Sequence, residues 1–134
     1  LNSLTFKPLF GTKAATELRA TIKCVKNATS TVSTSEIKSQ VINAINQYFT
    51  IDNWDFGDTF FFSELSSYLH DQLGSIISTV VLVPTNPLKS FGDLYEIRSQ
   101  ANEIFTNAAT VNDVEVIDAL TSSQLRTAPN SGVV

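Results

Sequence analysis

The spacing of hydrophobic residues between positions 17 and 83 constrains the fold more than any other feature of this sequence. In residues 17–26 apolar side chains alternate with polar ones, which predicts a half-buried strand. Its inward face carries Leu18, Ala20, Ile22 and Cys24. Its outward face carries Arg19, Thr21 and Lys23. The inward position of Cys24 indicates a core residue rather than a nucleophile.

Two helical stripes follow this strand. Apolar residues at i, i+4, i+7, i+8 and i+11 predict an amphipathic helix that buries Ile37, Val41, Ala44, Ile45 and Tyr48. Ser33 and Glu36 have the spacing of a capping box at its start. Ser63 is the predicted N-cap of a second helix, which ends at Gly74. The buried stripe of that helix is Leu65, Tyr68, Leu69 and Leu73.

The order of these elements predicts the fold class. Residues 76–83 are rich in β-branched side chains and predict a second strand that stops at Pro84. If the two helices form an antiparallel hairpin on one face of the sheet, this strand returns antiparallel to the first. We therefore predict a two-layer α+β fold, in which a helical hairpin packs on an antiparallel sheet as a β-α-α-β unit and a small β-rich segment follows.

Polar turns separate three further candidate strands, at residues 94–98, 103–106 and 114–117. We predict one α+β domain over residues 17–120, with the β-α-α-β core in 17–84 and the short strands in 88–120.

The two ends of the chain carry weaker patterns. Pro8 and Gly11 break up the apolar residues of positions 1–16, which are predicted to lead in irregularly from a preceding domain. Residues 121–134 are predicted to form a polar C-terminal tail or arm. The chain contains no methionine and begins at Leu1, so we expect a fragment of a longer protein.

The composition excludes several classes of function. The net charge is −4 and Lys and Arg do not cluster, so the phosphate neutralisation that nucleic-acid binding needs is missing. No apolar run approaches the roughly 20 residues that span a membrane. His70 is the only histidine and Cys24 the only cysteine, which excludes a zinc site and an internal disulfide and favours a reducing compartment. Since no glycine-rich phosphate loop is present either, we expect no cofactor and no small-molecule substrate.

Residues 45–65, INQYFTIDNWDFGDTFFFSEL, concentrate the aromatic and acidic side chains. Seven of the chain's thirteen aromatic residues lie here, interleaved with the carboxylates of Asp52, Asp55, Asp58 and Glu64. A carboxylate pair in an aromatic-lined cleft can hydrolyse glycosides. The interpretation we favour is that the aspartates form turns, Glu64 lies in a first helical turn and the rings pack the end of the hairpin. We therefore predict no enzyme, and no buried pair among these four carboxylates.

Three consecutive phenylalanines cannot all face one core. At least one ring of Phe60, Phe61 and Phe62 is expected to face another domain or subunit, because large exposed apolar groups mark contact sites. The candidate interface residues are Phe60, Phe61, Phe62 and Trp54.

Residues 37–83 resemble the C-terminal part of the baseplate J-like proteins of contractile-tailed phages. The family pattern is a helix, a tryptophan, a glycine-containing turn, a second helix, a glycine and a β-branched strand. The matching positions are Val41, Ala44, Ile45, Tyr48, Phe49, Trp54, Gly57, Ser63, Leu65, Leu69 and Gly74. The sequence departs from the pattern at Ile77, since the family more often has Gly-Val directly after the second helix.

The resemblance implies a structural role in the virion. Such proteins are assembled in the host cytoplasm and form the inner ring of the tail baseplate around the hub. Their partners are other copies of themselves and other baseplate wedge proteins, and the family has no catalytic residues to carry over. The alternative function is a small carboxylate-dependent cell-wall hydrolase of the tail.

Overall fold

In the computed structural model, which describes residues 3–89 and 92–118, strand β2 (Ala20–Lys26) lies in the middle of a three-stranded sheet. It pairs antiparallel with one neighbour and parallel with the other, in a mixed α+β fold. The antiparallel return of the strand after the helical pair is confirmed, with Ile22 opposite Leu82. The parallel neighbour corrects the prediction of a purely antiparallel sheet, because it places Val114 on the other side of Ile22.

The predicted half-burial of the first strand is wrong. Thr21 and Lys23, expected to face solvent, are 6% and 1% exposed. The reason is that this strand is the central one, so residues of a neighbouring strand flank its side chains on each side. The sequence pattern does not show which strand is central. The Lys23 ammonium lies 3.8 Å from a carboxylate oxygen of Glu115 on the parallel neighbour.

The described residues contain two α-helices, three short 3-10 helices and seven strands. The α-helices are α1 (Thr34–Tyr48) and α2 (Phe62–Leu73). The strands other than β2 are β1 (Thr5–Leu9), β3 (Thr59–Phe61), β4 (Ile77–Pro84), β5 (Glu96–Arg98), β6 (Glu103–Asn107) and β7 (Val114–Ile117). The three-stranded sheet has the order β4-β2-β7.

The short strands of the second block occur near their predicted positions, but they do not form a segment of their own. Each pairs with a strand from earlier in the chain: β7 with β2 in parallel, β6 with β1 in parallel, and β5 with β3 antiparallel. The predicted separation into a core and a following β-rich segment is therefore corrected. The predicted tail, residues 121–134, lies outside the described residues.

The N-terminal segment is also more ordered than predicted. Residues 1–16 were expected to be irregular, yet β1 pairs with β6, and Leu9 and Phe10 are buried. At Gly11 an added Cβ would lie 1.7 Å from the Ala108 carbonyl oxygen, so only glycine allows this close approach. The partner of β1 is distant in sequence, which is why no local pattern predicts the pairing. The connection to a preceding domain stays a prediction.

The helix starts follow two different rules. At α1 the Ser33 hydroxyl accepts the Glu36 N–H (3.2 Å), as predicted, but the Glu36 carboxylate accepts from the Gln40 amide (3.1 Å) instead of completing the capping box. At α2 the predicted Ser63 cap is wrong, because the helix begins at Phe62. The Phe62 N–H donates to the Tyr95 carbonyl (2.8 Å), so pairing with β5 continues to the helix start and no hydroxyl cap is made.

The buried residues of both helices share one hydrophobic core with a single face of β2. That face consists of Ala20, Ile22 and Cys24, and the prediction that Cys24 is a core residue is confirmed. The helical contributions are Ile37, Val41, Ile42, Ala44, Ile45, Phe62, Leu65, Leu69 and Leu73. Gly74 follows α2 as predicted, although its φ of −61° is right-handed rather than the left-handed conformation common after helices.

Candidate functional site

The connection between α1 and β3, residues 49–58, begins with a short 3-10 turn, Ile51–Asn53. The indole N–H of Trp54 donates a hydrogen bond to the Tyr48 carbonyl at the end of α1 (2.8 Å). The indole ring stacks on Phe49 with the ring centroids 5.3 Å apart. Trp54 is therefore held at the end of the helix by one polar and one aromatic contact.

A second turn completes the connection. The Asp58 carboxylate accepts the Asp55 N–H (2.8 Å), so the turn-forming role predicted for these aspartates is confirmed at Asp58. Gly57 has φ +81°, a conformation that favours glycine, and its N–H donates to the Glu103 carbonyl on β6 (3.0 Å). The turn is thereby fixed to a distant strand.

The three phenylalanines have different environments, as expected, but two of them are not available for contacts. Phe60 is 0% exposed and Phe62 is buried, so their selection as interface residues is corrected. Phe61, between them, is 41% exposed. Successive side chains of a strand point to opposite faces, which directs Phe60 inward and Phe61 outward. The contact expected of Phe61 with another chain stays a prediction.

Trp54 and Phe56 were both predicted to pack the end of the hairpin, and the structure confirms this for Trp54 alone. Trp54, a predicted interface residue, is half-buried and packs against the core. Phe56, predicted to pack the end of the hairpin, is 41% exposed.

Exposed apolar side chains converge on a shallow groove that we call the apolar patch. It consists of Leu4, Phe6, Ile51 and Phe56, with the buried Ile104 beneath them, and encloses about 100 Å³. These four are a majority of the seven large hydrophobic residues that are exposed in the described part of the chain. Sequence reasoning missed Leu4 and Phe6 because the segment was predicted to be irregular. Their i, i+2 spacing was the available signal.

A second surface, the aromatic–acidic cleft, opens between the connection and the two helices. It is an open cleft of about 450 Å³ lined by Tyr48, Asn53, Trp54, Asp58, Thr59, Glu64 and Tyr68. Of the four carboxylates that the sequence singled out, the structure brings Asp58 and Glu64 to this cleft, whereas Asp52 and Asp55 do not line it.

The cleft is negatively charged. Its lining contains two carboxylates and no Lys, Arg or His. Burial, and in second place the negative charge of Glu64, raises the pKa of the Tyr48 phenol to about 12. Asp52, Asp55 and Glu64 are exposed and Asp58 is half-buried, so the prediction that no buried pair exists among the four carboxylates is confirmed.

Other groups that carry chemistry lie apart from both surfaces. Desolvation raises the pKa of the buried Cys24 thiol to about 12. His70 is exposed on α2. Within residues 3–89 and 92–118, no cluster of three or more His, Cys, Asp or Glu side chains is placed to hold a metal ion.

None of the helices in the described ranges has the length and apolar character required to cross a membrane.

No family model matches the chain, and a search of curated proteins finds no match.

Proposed function

We propose that this chain is a structural assembly module of a contractile phage tail baseplate. It forms contacts between subunits in the wedge and inner ring around the hub. The matching positions in residues 37–83 support this assignment, and so does the continuation FGDLYEIRSQANEIF. Together they look most like the C-terminal domain of the wedge protein of T-even-type phages, gene product six.

The observation that carries an assembly role is the apolar patch. Leu4 directly precedes β1 and Phe6 lies within it. Ile51 and Phe56 come from the connection between α1 and β3. Exposed apolar groups gathered in one place mark protein–protein contacts more reliably than scattered ones. Here two separate parts of the chain supply the patch, so its geometry is set by the fold.

A partly unpaired strand edge lies beside this patch. β6 is the only strand paired with β1 among the described residues, although Phe10 just after β1 exchanges backbone hydrogen bonds with Leu18 and Ala20 and Pro8 has no N–H to donate. Unpaired edges accept strands from other chains, and apolar pockets next to them select the side chains of the added strand. We favour a two-fold contact between copies, in which the same surface of each copy meets the other.

Substitutions in the patch test this function. Phe6→Thr removes an exposed ring from β1 and keeps a β-branched residue that suits a strand. Its effect on folding should be within about 0.5–1 kcal/mol, because Phe6 is 61% exposed. It should weaken self-association or assembly with wedge proteins by roughly 1–3 kcal/mol if the ring is a contact anchor.

Leu88→Ser is the matched control. Leu88 is 91% exposed and lies outside both surfaces. Phe61→Ser tests the remaining candidate of the phenylalanine run in the same assay. Sedimentation velocity with the wild type, the three variants and purified wedge partners would decide. If Phe6→Thr and Phe61→Ser both fold and assemble like the wild type, neither Phe6 nor Phe61 lies in the contact between subunits.

The convergence of Asp58 and Glu64 favours one second candidate, a carboxylate-dependent cell-wall hydrolase of the tail. Against it, neither carboxylate is buried, whereas the general acid of a glycosidase is normally desolvated. A peptidoglycan-clearing assay distinguishes the two functions. Clearing by the wild type that is lost in Glu64→Gln would establish the hydrolase, and absence of clearing by the wild type would eliminate it.

A further inference from the structure

The two carboxylates of the aromatic–acidic cleft carry charge that no described residue neutralises. One oxygen of Asp58 accepts the Asp55 N–H, and Glu64 lies in the first turn of α2, where the helix dipole favours a negative charge. These local roles account for the presence of both residues. Neither one forms an ion pair with a described residue, because the three ion pairs found are Lys7–Glu103, Lys23–Glu115 and Arg98–Glu96.

Three aromatic rings complete the cleft. The Tyr48 ring lies 5.7 Å from that of Trp54 and 5.3 Å from that of Tyr68, measured between centroids. Each ring is half-buried, so each keeps part of its surface open to solvent. The face of an aromatic ring attracts a cation through its quadrupole. The rings and the carboxylates therefore favour the same sign of ligand charge.

The rings are held in place before any ligand arrives. The Trp54 indole N–H is bonded to the Tyr48 carbonyl (2.8 Å), and the Tyr68 hydroxyl donates to the Gln47 side-chain oxygen (3.3 Å). Stacking on Phe49 fixes the indole from the core side. A preorganised site loses less conformational entropy on binding than a flexible one.

We propose that the aromatic–acidic cleft binds an arginine side chain presented by a partner protein. A guanidinium group is planar, stacks on aromatic rings and offers paired N–H donors to carboxylates, whereas an ammonium is a compact and strongly hydrated charge. The cleft is open and has a volume of about 450 Å³, which leaves room for a guanidinium group and part of the chain that carries it. This binding does not require that the partner is a baseplate protein.

The chain carries its own reporter for this site. Trp54 is the only tryptophan, so all intrinsic tryptophan fluorescence comes from a residue that lines the cleft. The probe is a short acetylated and amidated peptide with one central arginine. The matched peptide has citrulline at that position, which keeps the planar shape and removes the charge.

We expect a saturable change in Trp54 fluorescence with the arginine peptide and a matching heat signal in titration calorimetry. The dissociation constant should rise with salt, and the citrulline peptide should bind at least about tenfold more weakly, as a charge-assisted contact requires. Glu64→Gln and Asp58→Asn should each weaken binding by about two- to tenfold, because the carboxylates are only partly shielded from solvent. Tyr68→Leu should weaken it without any change in charge.

Asp71→Asn is the control for long-range charge effects. Asp71 is exposed on α2 and lies outside the cleft, so removing its charge should leave the dissociation constant unchanged. Equal binding of the arginine and citrulline peptides would overturn the proposal. So would equal losses in Asp71→Asn and Glu64→Gln, or no fluorescence and heat signal with either peptide. If a chitin oligosaccharide binds saturably, and this binding depends neither on salt nor on Glu64, the proposal is wrong and the ligand of the cleft is a glycan.

Discussion

Phe60 and Phe61 are adjacent in sequence, but replacing each by alanine should have very different effects on stability. Phe60 is fully buried, and its ring centroid lies 5.5 Å from that of Phe10, 5.6 Å from that of Phe49 and 6.5 Å from that of Phe105. Phe61 keeps 41% of its surface exposed and has no aromatic neighbour among the described residues. The comparison tests the alternation of β3 directly.

The expected magnitude follows from these contacts. Truncating a buried phenylalanine to alanine costs about 3–5 kcal/mol, and each aromatic pair adds roughly 0.5–1.5 kcal/mol beyond burial. The free energy lost in Phe60→Ala should therefore be near the upper end of this range, about 4–5 kcal/mol. The total stability of a domain is roughly 5–15 kcal/mol, so this is a large part of it. Phe61→Ala should cost about 1 kcal/mol, since a large part of its ring is already in water.

Urea denaturation followed by circular dichroism measures both changes. With a slope of roughly 1–3 kcal/mol/M, Phe60→Ala should lower the midpoint by more than about 1 M, and Phe61→Ala by a fraction of that. Phe60→Leu, which keeps most of the volume, should recover most of the loss. Similar losses at the two positions, or the larger loss at Phe61, would refute the inward and outward assignment.

Three further predictions concern the core and the cleft. Cys24 should not react with a thiol reagent at pH 8 in the folded protein, because burial raises the pKa of its thiol from 9.0 to about 12. Unfolding should make one thiol equivalent reactive, and rapid reaction of the native protein would contradict the burial of Cys24. The Tyr48 phenol should ionise near pH 12 in an ultraviolet titration. Because the pKa of this phenol in the folded protein exceeds the ordinary 10.0, the folded state favours the neutral phenol. The stability that this ring contributes is therefore complete below pH 10 and is lost as the pH rises through 12. In Glu64→Gln this pKa should fall only part of the way back, since burial is the larger cause. Gly11→Ala should destabilise the protein by at least about 2–3 kcal/mol in urea, because its Cβ would meet the Ala108 carbonyl at 1.7 Å, and a neutral result would show that β1 can shift away.

The sequence predicted the elements whose signals are local. The stripe from Ile37 to Tyr48 and the cap at Ser33 located α1, because a helix satisfies its hydrogen bonds within a few residues. Strand β4 was located by its β-branched run. Strand β1 was missed because its partner is distant in sequence: Thr5 pairs with Glu103. A parallel pair has no connecting hairpin turn that the sequence could show.

The surfaces were predictable only in part, for a related reason. Tyr68 belongs to the helical stripe predicted to be buried, yet it lies half-buried at the rim of the cleft, where a tyrosine can keep its hydroxyl in water. Which of the three phenylalanines faces outward depends on where β3 ends and α2 begins. A hydrogen bond to Tyr95, distant in sequence, fixes that junction, and Ser63 gave the wrong start.

The connection between α1 and β3 distributes its aromatic and acidic residues over two surfaces. Ile51 and Phe56 line the apolar patch, whereas Trp54 and Asp58 line the aromatic–acidic cleft. The two surfaces share this scaffold but no lining side chain. A substitution on β1, such as Phe6→Thr, therefore changes no side chain of the cleft. Ile51 is closer to the cleft, because its carbonyl accepts the Trp54 N–H (3.3 Å), and residues in contact do not have additive effects. Trp54 is different, because the same ring stacks on Phe49 in the core, so its replacement would weaken the fold and the cleft together.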